Sequence, residues 1–197
     1  MRKDVVPKPL KSSFLSCEKD CEIILQKLFV DAPKQHSNDL KKLLVINNKD
    51  CLDENNSEVY KRAIEEYTLN KLREDGYIRL EPKVLFPEHE EVKTYIIIGF
   101  DNFTTNATNP EFRDCIVTFD ILCHTDAWDL GQFRLRPLKI AGYIDGILDK
   151  CKLTGIGTFQ FLGCSKVVLD ETLSGYTLMY SAIHGSDDYI DDREPLA

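Results

Sequence analysis

The fourteen residues from Arg113 to Asp126, RDCIVTFDILCHTD, contain two cysteines, a histidine and three aspartates. Thiolate, imidazole and carboxylate groups are the side chains that most often bind transition metals. Carboxylates can also hold a divalent cation for phosphodiester cleavage. This stretch therefore raises two chemical hypotheses, a metal site and an acidic hydrolytic site.

The spacing within the stretch favours a β-strand over a shared ligand site. Apolar and thiol side chains recur at every second residue from Cys115 to Cys123, as on one face of a strand. Cys123 and His124 point to opposite faces, so one ion cannot easily bind both. Asp114 and Asp120 share a face with His124, but about 20 Å of strand separates the two aspartates. We interpret the stretch as structural and keep the hydrolytic site as an alternative.

The other motifs that could carry chemistry also favour structural interpretations. Cys17 and Cys21 lie one helical turn apart, with no second ligand pair near them in the sequence. The Gly155-Ile-Gly157 turn follows a predicted helix and precedes a predicted strand, the wrong order for a phosphate-binding turn. The four histidines have no spacing typical of a Ser or Cys nucleophile. The sequence therefore predicts no catalytic residue, metal ligand or cofactor.

The first half of the chain is predicted to be helical. A stripe of apolar residues begins at Cys17, after a candidate N-cap at Ser16, and ends at Asp31-Ala-Pro33. A second helix is predicted from a cap at Ser37 to Leu44. A third is predicted to begin at 55–57 and to end at Gly76. Residues 1–76 are therefore interpreted as an extended arm followed by a helical segment.

The second half is predicted to alternate strands with one helix. Short strands are predicted at 77–80 and 84–86, followed by strand 92–100, loop 101–110 and strand 113–124. A helix then begins near Pro137 and ends near Gly155, and strands 158–170 and 176–184 follow. The order β-β-α-β-β predicts an α+β fold, an antiparallel sheet of long hairpins with one helix on a face. This domain spans 77–186, and an acidic tail follows at 187–197.

Composition excludes some classes of function. The formal net charge of −8 argues against sequence-independent binding to nucleic-acid phosphates, which requires clustered Lys and Arg. It permits a channel wall that repels DNA. We find neither an apolar segment long enough to span a bilayer nor the apolar core of a signal peptide. With seven cysteines and no export signal, we expect reduced thiols and no contact with a membrane.

Three segments resemble the tail-terminator and head-to-tail neck proteins of tailed bacteriophages. They are PEFRDCIVTFDILCHTDAWDL, RLRPLKIAGYIDGILDKCKLTG and TFQFLGCSKVVLDETLSGYTLMYSAIHGSDD. In those families a β-hairpin precedes a helix and a long hairpin follows it. The resemblance covers about residues 77–186. It depends on the order of the elements and on the general pattern of residue types, with no diagnostic motif. The helices before residue 77 have no counterpart.

The resemblance implies a non-enzymatic virion structural protein, assembled in the host cytoplasm. Such a protein forms a homo-oligomeric ring, for example a hexamer or dodecamer, at the neck or tail terminus. Its partners would be other neck and tail proteins, and double-stranded DNA would pass through the lumen without specific binding. Exposed strand edges and an acidic surface are compatible with that role.

The residues expected at the subunit interface lie on the edges of strands 113–124 and 176–184, in loop 101–112 and beside the central helix. They are Arg113, Trp128, Arg134, Arg136, Tyr176 and Tyr180. Arg134 and Arg136 are interpreted as surface or subunit-contact charges. Two alternatives remain open. One is a metal-dependent phosphodiester hydrolase that uses the acidic strand face with Asp114, Asp120 and His124, and the other is an intracellular adaptor that binds a peptide at a sheet edge.

Overall fold

A five-stranded sheet forms the centre of the fold. The computed structural model describes residues 14, 17–53, 57–80, 91–110, 112–153 and 156–184. The strands are β1 (Ile78–Arg79), β2 (Thr94–Thr105), β3 (Arg113–His124), β6 (Gln160–Val168) and β7 (Leu173–His184), and their order across the sheet is β1-β2-β3-β7-β6. The short strands β4 (Lys152–Leu153) and β5 (Gly157–Thr158) form a separate antiparallel pair.

The helices come mainly from the first half of the chain. They are α1 (Cys17–Gln26), α2 (Lys34–Val45), α3 (Ser57–Glu66), α4 (Leu69–Glu74) and α5 (Arg136–Leu148). A π-helical turn, Lys27–Asp31, continues α1, and a 3₁₀ turn, Thr125–Ala127, follows β3. The order β2-β3-α5-β6-β7 is the predicted β-β-α-β-β unit, so the α+β prediction is confirmed. The sheet is mixed, since β1 pairs parallel to β2.

Helices and sheet share one apolar core. A single cluster of buried side chains includes Leu25 of α1, Leu43 of α2, Ile98 of β2, Phe119 of β3 and Ile144 of α5. Burial of each such side chain contributes about 1.5–3 kcal/mol to folding. The helical segment before residue 77 thus contributes buried side chains to the same core as the sheet.

Three predicted details are wrong. The segment 101–105 is strand, because β2 continues to Thr105 through an irregular register and its backbone pairs with β3. Ser37 does not cap α2; it is buried inside the helix, and its hydroxyl donates to the carbonyl of Phe29 at 2.5 Å. The predicted third helix is two helices, because Thr68 caps α4 by accepting a hydrogen bond from the backbone N–H of Lys71.

Several predictions lie outside the described residues. They concern the arm 1–13, the cap Ser16, the strand 84–86, the helix stop at Gly155 and the tail 187–197. Helix α5 ends at Leu148, before that stop. Gly175, which lies between the predicted strands 158–170 and 176–184, is part of β7, where a Cβ would collide with the backbone of Ile121.

Arg136 connects the start of α5 to the end of α2. Its side chain is fully buried, so the prediction of a surface or subunit-contact charge is wrong. Its Nε donates to the carbonyl of Ala127 at 2.6 Å. Its two Nη atoms donate to the carbonyls of Leu43 and Ile46, both at 2.7 Å, and of Asn48 at 3.0 Å. The carbonyls of a helix's last turn lack hydrogen-bond donors within the helix and carry partial negative charge. The guanidinium supplies those donors, and its positive charge is stabilised by the negative end of the helix.

Replacement of this guanidinium should destabilise the protein strongly. In Arg136→Met, four carbonyls lose their shared donor in a buried site, and we expect a loss of about 3–5 kcal/mol in the free energy of unfolding. Urea unfolding followed by circular dichroism measures it. The control is Arg134→Met, which removes a partly exposed side chain and should change stability by about 0.5 kcal/mol or less. Equal losses in the two variants would refute this role of Arg136.

Candidate functional site

The strand that raised the metal hypothesis carries structural contacts on both faces. Its period-2 face, from Cys115 to Cys123, is buried in the core, as predicted. On the other face the Asn106 side-chain amide donates to Asp114 at 2.7 Å, and the Thr177 hydroxyl donates to Asp120 at 2.5 Å. Among the described residues, no three His, Cys, Asp or Glu side chains are grouped so as to hold a metal ion.

The predicted interface edges lie inside the sheet. Strand β3 pairs with β2 on one side and with β7 on the other, from Arg113 to His124. Strand β7 pairs with β3 and β6. Neither strand has a free edge, so their assignment as docking edges is wrong. The period-2 pattern predicted the strands correctly, but it contains no information about the order of strands in the sheet.

The predicted interface residues divide into buried and accessible ones. Tyr180 is fully buried and donates its hydroxyl to Asp145 at 2.8 Å, so its assignment as a docking residue is wrong. Trp128 and Tyr176 are partly exposed, with ring centroids 6.3 Å apart, and the Trp128 indole donates to the carbonyl of Cys123. Arg113 is also partly exposed, and its guanidinium lies 5.5 Å from the ring centroid of Phe14.

Strand β6 provides an edge that no described strand covers. It pairs with β7 on one side only, and most of its side chains are exposed. Phe161 and Leu162 are 48% and 53% exposed, and Val168 and Leu169 are 59% and 50% exposed. An edge strand with exposed apolar side chains and one charged residue, Lys166, is the kind of strand that pairs with another chain.

A second accessible feature is the loop 129–135, here named the Phe133 loop. Phe133 is 106% exposed, and Leu135 is 38% exposed. Three successive residues have positive φ, Gly131 at 72°, Gln132 at 49° and Phe133 at 62°. A left-handed backbone costs a residue other than glycine about 1–2 kcal/mol. Phe133 therefore combines an unfavourable backbone conformation with an aromatic ring that is fully exposed to solvent.

Hydrogen bonds and an ion pair hold the Phe133 loop in this conformation. The backbone N–H of Leu130 donates to the carbonyl of Arg134 at 2.9 Å, and the N–H of Gly131 donates to the Asp129 carboxylate at 2.7 Å. The Lys49 ammonium pairs with the same carboxylate at 2.7 Å, and these contacts lower the Asp129 pKa, with the Lys49 hydrogen bond the largest cause. The loop is preorganised, a property that reduces the entropic cost of binding.

A buried polar cluster joins α1 to the end of β7. The imidazole Nδ1 of His184 contacts the carboxylate of Asp20, and both side chains are fully buried. The Nε2 of the same ring lies 3.6 Å from the sulfur of Cys17. Phe100 and Phe103 pack around the imidazole, with ring centroids 6.1 and 5.7 Å away. Sequence reasoning missed this cluster because its members lie at opposite ends of the chain.

Thiol, imidazole and carboxylate in series resemble the arrangement of a cysteine nucleophile with its base. The thiol is not activated, because burial and then the negative charge of Asp20 raise the pKa of Cys17. A protonated, partly buried thiol is a poor nucleophile at neutral pH. The cluster therefore supports a structural role, in which the buried carboxylate and imidazole satisfy each other and fasten α1 to the sheet.

With this geometry established, comparisons with known proteins define the class. A sequence model of the YomW family matches residues 37–182, more than half of the chain, so the chain belongs to the YomW family. The family is named after a phage or prophage gene product of Bacillus, which indicates a phage-associated protein. Searches of the curated proteins and of the solved structures found no match. None of the described helices is long and apolar enough to cross a membrane.

The titration and reactivity of the cysteine thiols should show which residues of the sheet are buried. Burial raises the pKa of Cys115 and of Cys123 to about 12, from an ordinary value of 9.0. Above pH 9 the unfolded chain releases these protons while the folded protein retains them, so stability should fall as pH rises from 9 towards 12. At pH 8, Ellman's reagent should modify the exposed Cys164 first and leave the two buried thiols intact until denaturant is added. Rapid modification of Cys123 in the native protein would contradict this burial.

The strain in the Phe133 loop leads to a separate prediction. Asparagine tolerates the left-handed backbone better than phenylalanine, so Phe133→Asn should raise the free energy of unfolding by about 0.5–1 kcal/mol. The ring makes almost no contacts within the subunit, so its removal loses little packing. Thermal unfolding measures the change, and Leu135→Asn is a matched control without positive φ. A destabilised Phe133→Asn variant would show that the ring supports the fold.

Proposed function

We propose that this phage-associated protein is a non-enzymatic virion component that forms a homo-oligomeric ring at the head–tail neck or the tail terminus. Within the ring, one subunit would pair its β6 edge with the next subunit. The observation that carries the proposal is this edge, which is long, rich in exposed apolar side chains and unpaired by any described strand.

The two borders of the sheet differ, and this difference favours a ring over a symmetric pair. At one border lies β6. At the other, β1 pairs only with Ile96 and Ile97, so no described strand covers the outer side of β2 from Ile98 to Thr105. Pairing of β6 with this part of β2 in the next copy would be head-to-tail, and a head-to-tail contact closes into a ring when its rotation permits. Backbone hydrogen bonds of the added strand would supply the affinity.

Accessible residues beyond the sheet edge suit contacts with the rings above and below. The Phe133 loop presents a preorganised aromatic side chain, the type that dominates binding energy at protein interfaces. Trp128 and Arg134 lie at the same connection between β3 and α5. We assign this region to contacts with neighbouring neck or tail proteins, and the partly exposed Arg113 and Tyr176 to contacts between subunits.

The charge of the protein suits a channel for DNA. The formal net charge is −8, and a wall with few clustered cations does not retain phosphates. DNA could therefore pass through the lumen of the ring without specific binding. This part of the proposal rests on composition and on the proposed ring, and it assigns the protein to the assembled virion.

The test is the oligomeric state of purified protein and of an edge variant. Light scattering after size exclusion, with negative-stain images, should show closed rings that the double substitution Leu162→Lys and Val168→Lys converts to monomers. Like charges placed on an edge strand prevent pairing. Val30→Lys, at an equally exposed apolar residue of the π-helical turn, is the control and should leave the rings intact.

Two results would contradict the proposal. One is a strict monomer at high concentration that does not assemble when neighbouring virion proteins are added. The other is a symmetric dimer that the edge variant leaves unchanged, since the β6 edge would then have no part in association.

A further inference from the structure

A lysine-rich pocket lies between α2 and α3, and none of its described lining residues belongs to β6. Its volume is about 440 Å³. The lining residues that matter here are Lys34, Lys41, Lys42, Lys61, Ile64 and Tyr67. Glu58 and Glu65 line it as well, so the pocket combines four ammonium groups and two carboxylates with an aliphatic side chain and a phenol ring. Cations outnumber anions there, in a protein whose overall charge is negative.

The lysines of this pocket are only partly neutralised within the subunit. Lys42 pairs with Asp39 at 3.4 Å, and Lys61 lies 3.8 Å from Glu58. In the part of the chain that the structure describes, no carboxylate lies within ion-pair distance of Lys34 or Lys41. Burial lowers the pKa of Lys41, as expected for an ammonium group partly removed from water. An acidic ligand in the pocket would favour this charged form.

The sequence contains a segment of matching chemistry after the last described strand. Residues 187–192 read Asp-Asp-Tyr-Ile-Asp-Asp, two apolar residues flanked on each side by two carboxylates. They lie outside the described residues. Tyr189 and Ile190 match Ile64 and Tyr67, and the aspartates match Lys34 and Lys41, the two pocket lysines without an ion pair among the described residues. Charge complementarity of this kind speeds association and selects partners.

We propose that the pocket binds the acidic segment 185–197 of a neighbouring copy of the chain. This inference rests on the proposed ring, because it supplies a second contact between its subunits. The segment follows β7 in the sequence, and β7 lies next to the edge strand β6 in the sheet. Copies with a charge of −8 repel one another, and an acidic segment seated among a neighbour's lysines offsets that repulsion.

The first experiment measures binding of the isolated segment. A fluorescent peptide of residues 185–197 is titrated into protein truncated after His184, whose folding is checked by circular dichroism. We expect saturable binding that weakens with salt. We expect affinity to fall about tenfold or more when the four aspartates of the peptide become asparagine, or in Lys34→Glu with Lys41→Glu. Lys152→Glu, an exposed lysine outside the pocket, is the control and should bind normally.

The second experiment identifies the chain that donates the segment. Light and ¹⁵N-labelled full-length protein are mixed, disassembled, reassembled and treated with a carbodiimide, which joins carboxylates to amines in direct contact. Cross-links between Lys34 or Lys41 and residues 187–192 that connect a light chain to a heavy chain are expected. Cross-links only within one isotope would assign the segment to the pocket of its own chain and overturn the inference.

The remaining outcomes separate this inference from the proposed function. Rings without peptide binding would refute the docking of the segment and leave the ring in place. Monomers that bind the peptide would refute the ring, and with it the role assigned to a neighbouring copy. Peptide binding that survives both the asparagine peptide and the lysine variant would show that another surface is responsible.

Discussion

The position of the helices depends on a buried cation bound by carbonyl groups. The Arg136 guanidinium donates to backbone oxygens at the end of α2 and after β3, and the described contacts of this group include no carboxylate. Removal of a charge from water is costly, so the site is stable only because short hydrogen bonds and the negative end of a helix surround it. This arrangement fixes α2 relative to α5 without a second charge. The pocket that α2 lines therefore has a defined place on the molecule.

The two borders of the sheet differ in how far other described strands cover them, and the proposed assembly depends on this difference. A symmetric dimer needs one patch that matches itself, whereas a ring needs two patches that match each other. The outer strand β6, whose free side no described strand covers, and the partly covered β2 are two unlike patches. The Phe133 loop and the lysine-rich pocket add contacts in other directions, so one subunit could bind several neighbours at once.

Sequence patterns predicted the elements that depend on neighbouring residues. The alternation from Cys115 to Cys123 identified β3 and its buried face, and the apolar stripe after Pro137 identified α5. Composition gave a wrong prediction at 101–105. This Asn- and Thr-rich segment was predicted to be a loop, but it forms a strand because it pairs with β3. The position of β6 at the border of the described sheet was not predictable either, since strand order depends on contacts between distant segments.

The same limit explains the errors at individual side chains. Arg136 has a charged side chain next to a turn, a context typical of the surface, yet three of its four carbonyl partners lie about 90 residues earlier in the chain. Tyr180 alternates like an ordinary strand residue, but its ring packs against Phe119 and Phe159 in the core, and its hydroxyl donates to Asp145 of α5. Prediction of either would require knowledge of which helix covers which strand.

The contact between His184 and α1 also orders events during synthesis. Cys17 and His184 are 167 residues apart, and a ribosome that adds about 5–20 residues per second needs roughly ten seconds or more to make that interval. Until then α1 lacks the imidazole partner of Asp20, whose carboxylate is buried in the folded protein. Nascent chains therefore form the contact between His184 and Asp20 only after β7 emerges. Fragments that end early would expose Asp20 and the apolar stripe beside it to cellular proteases.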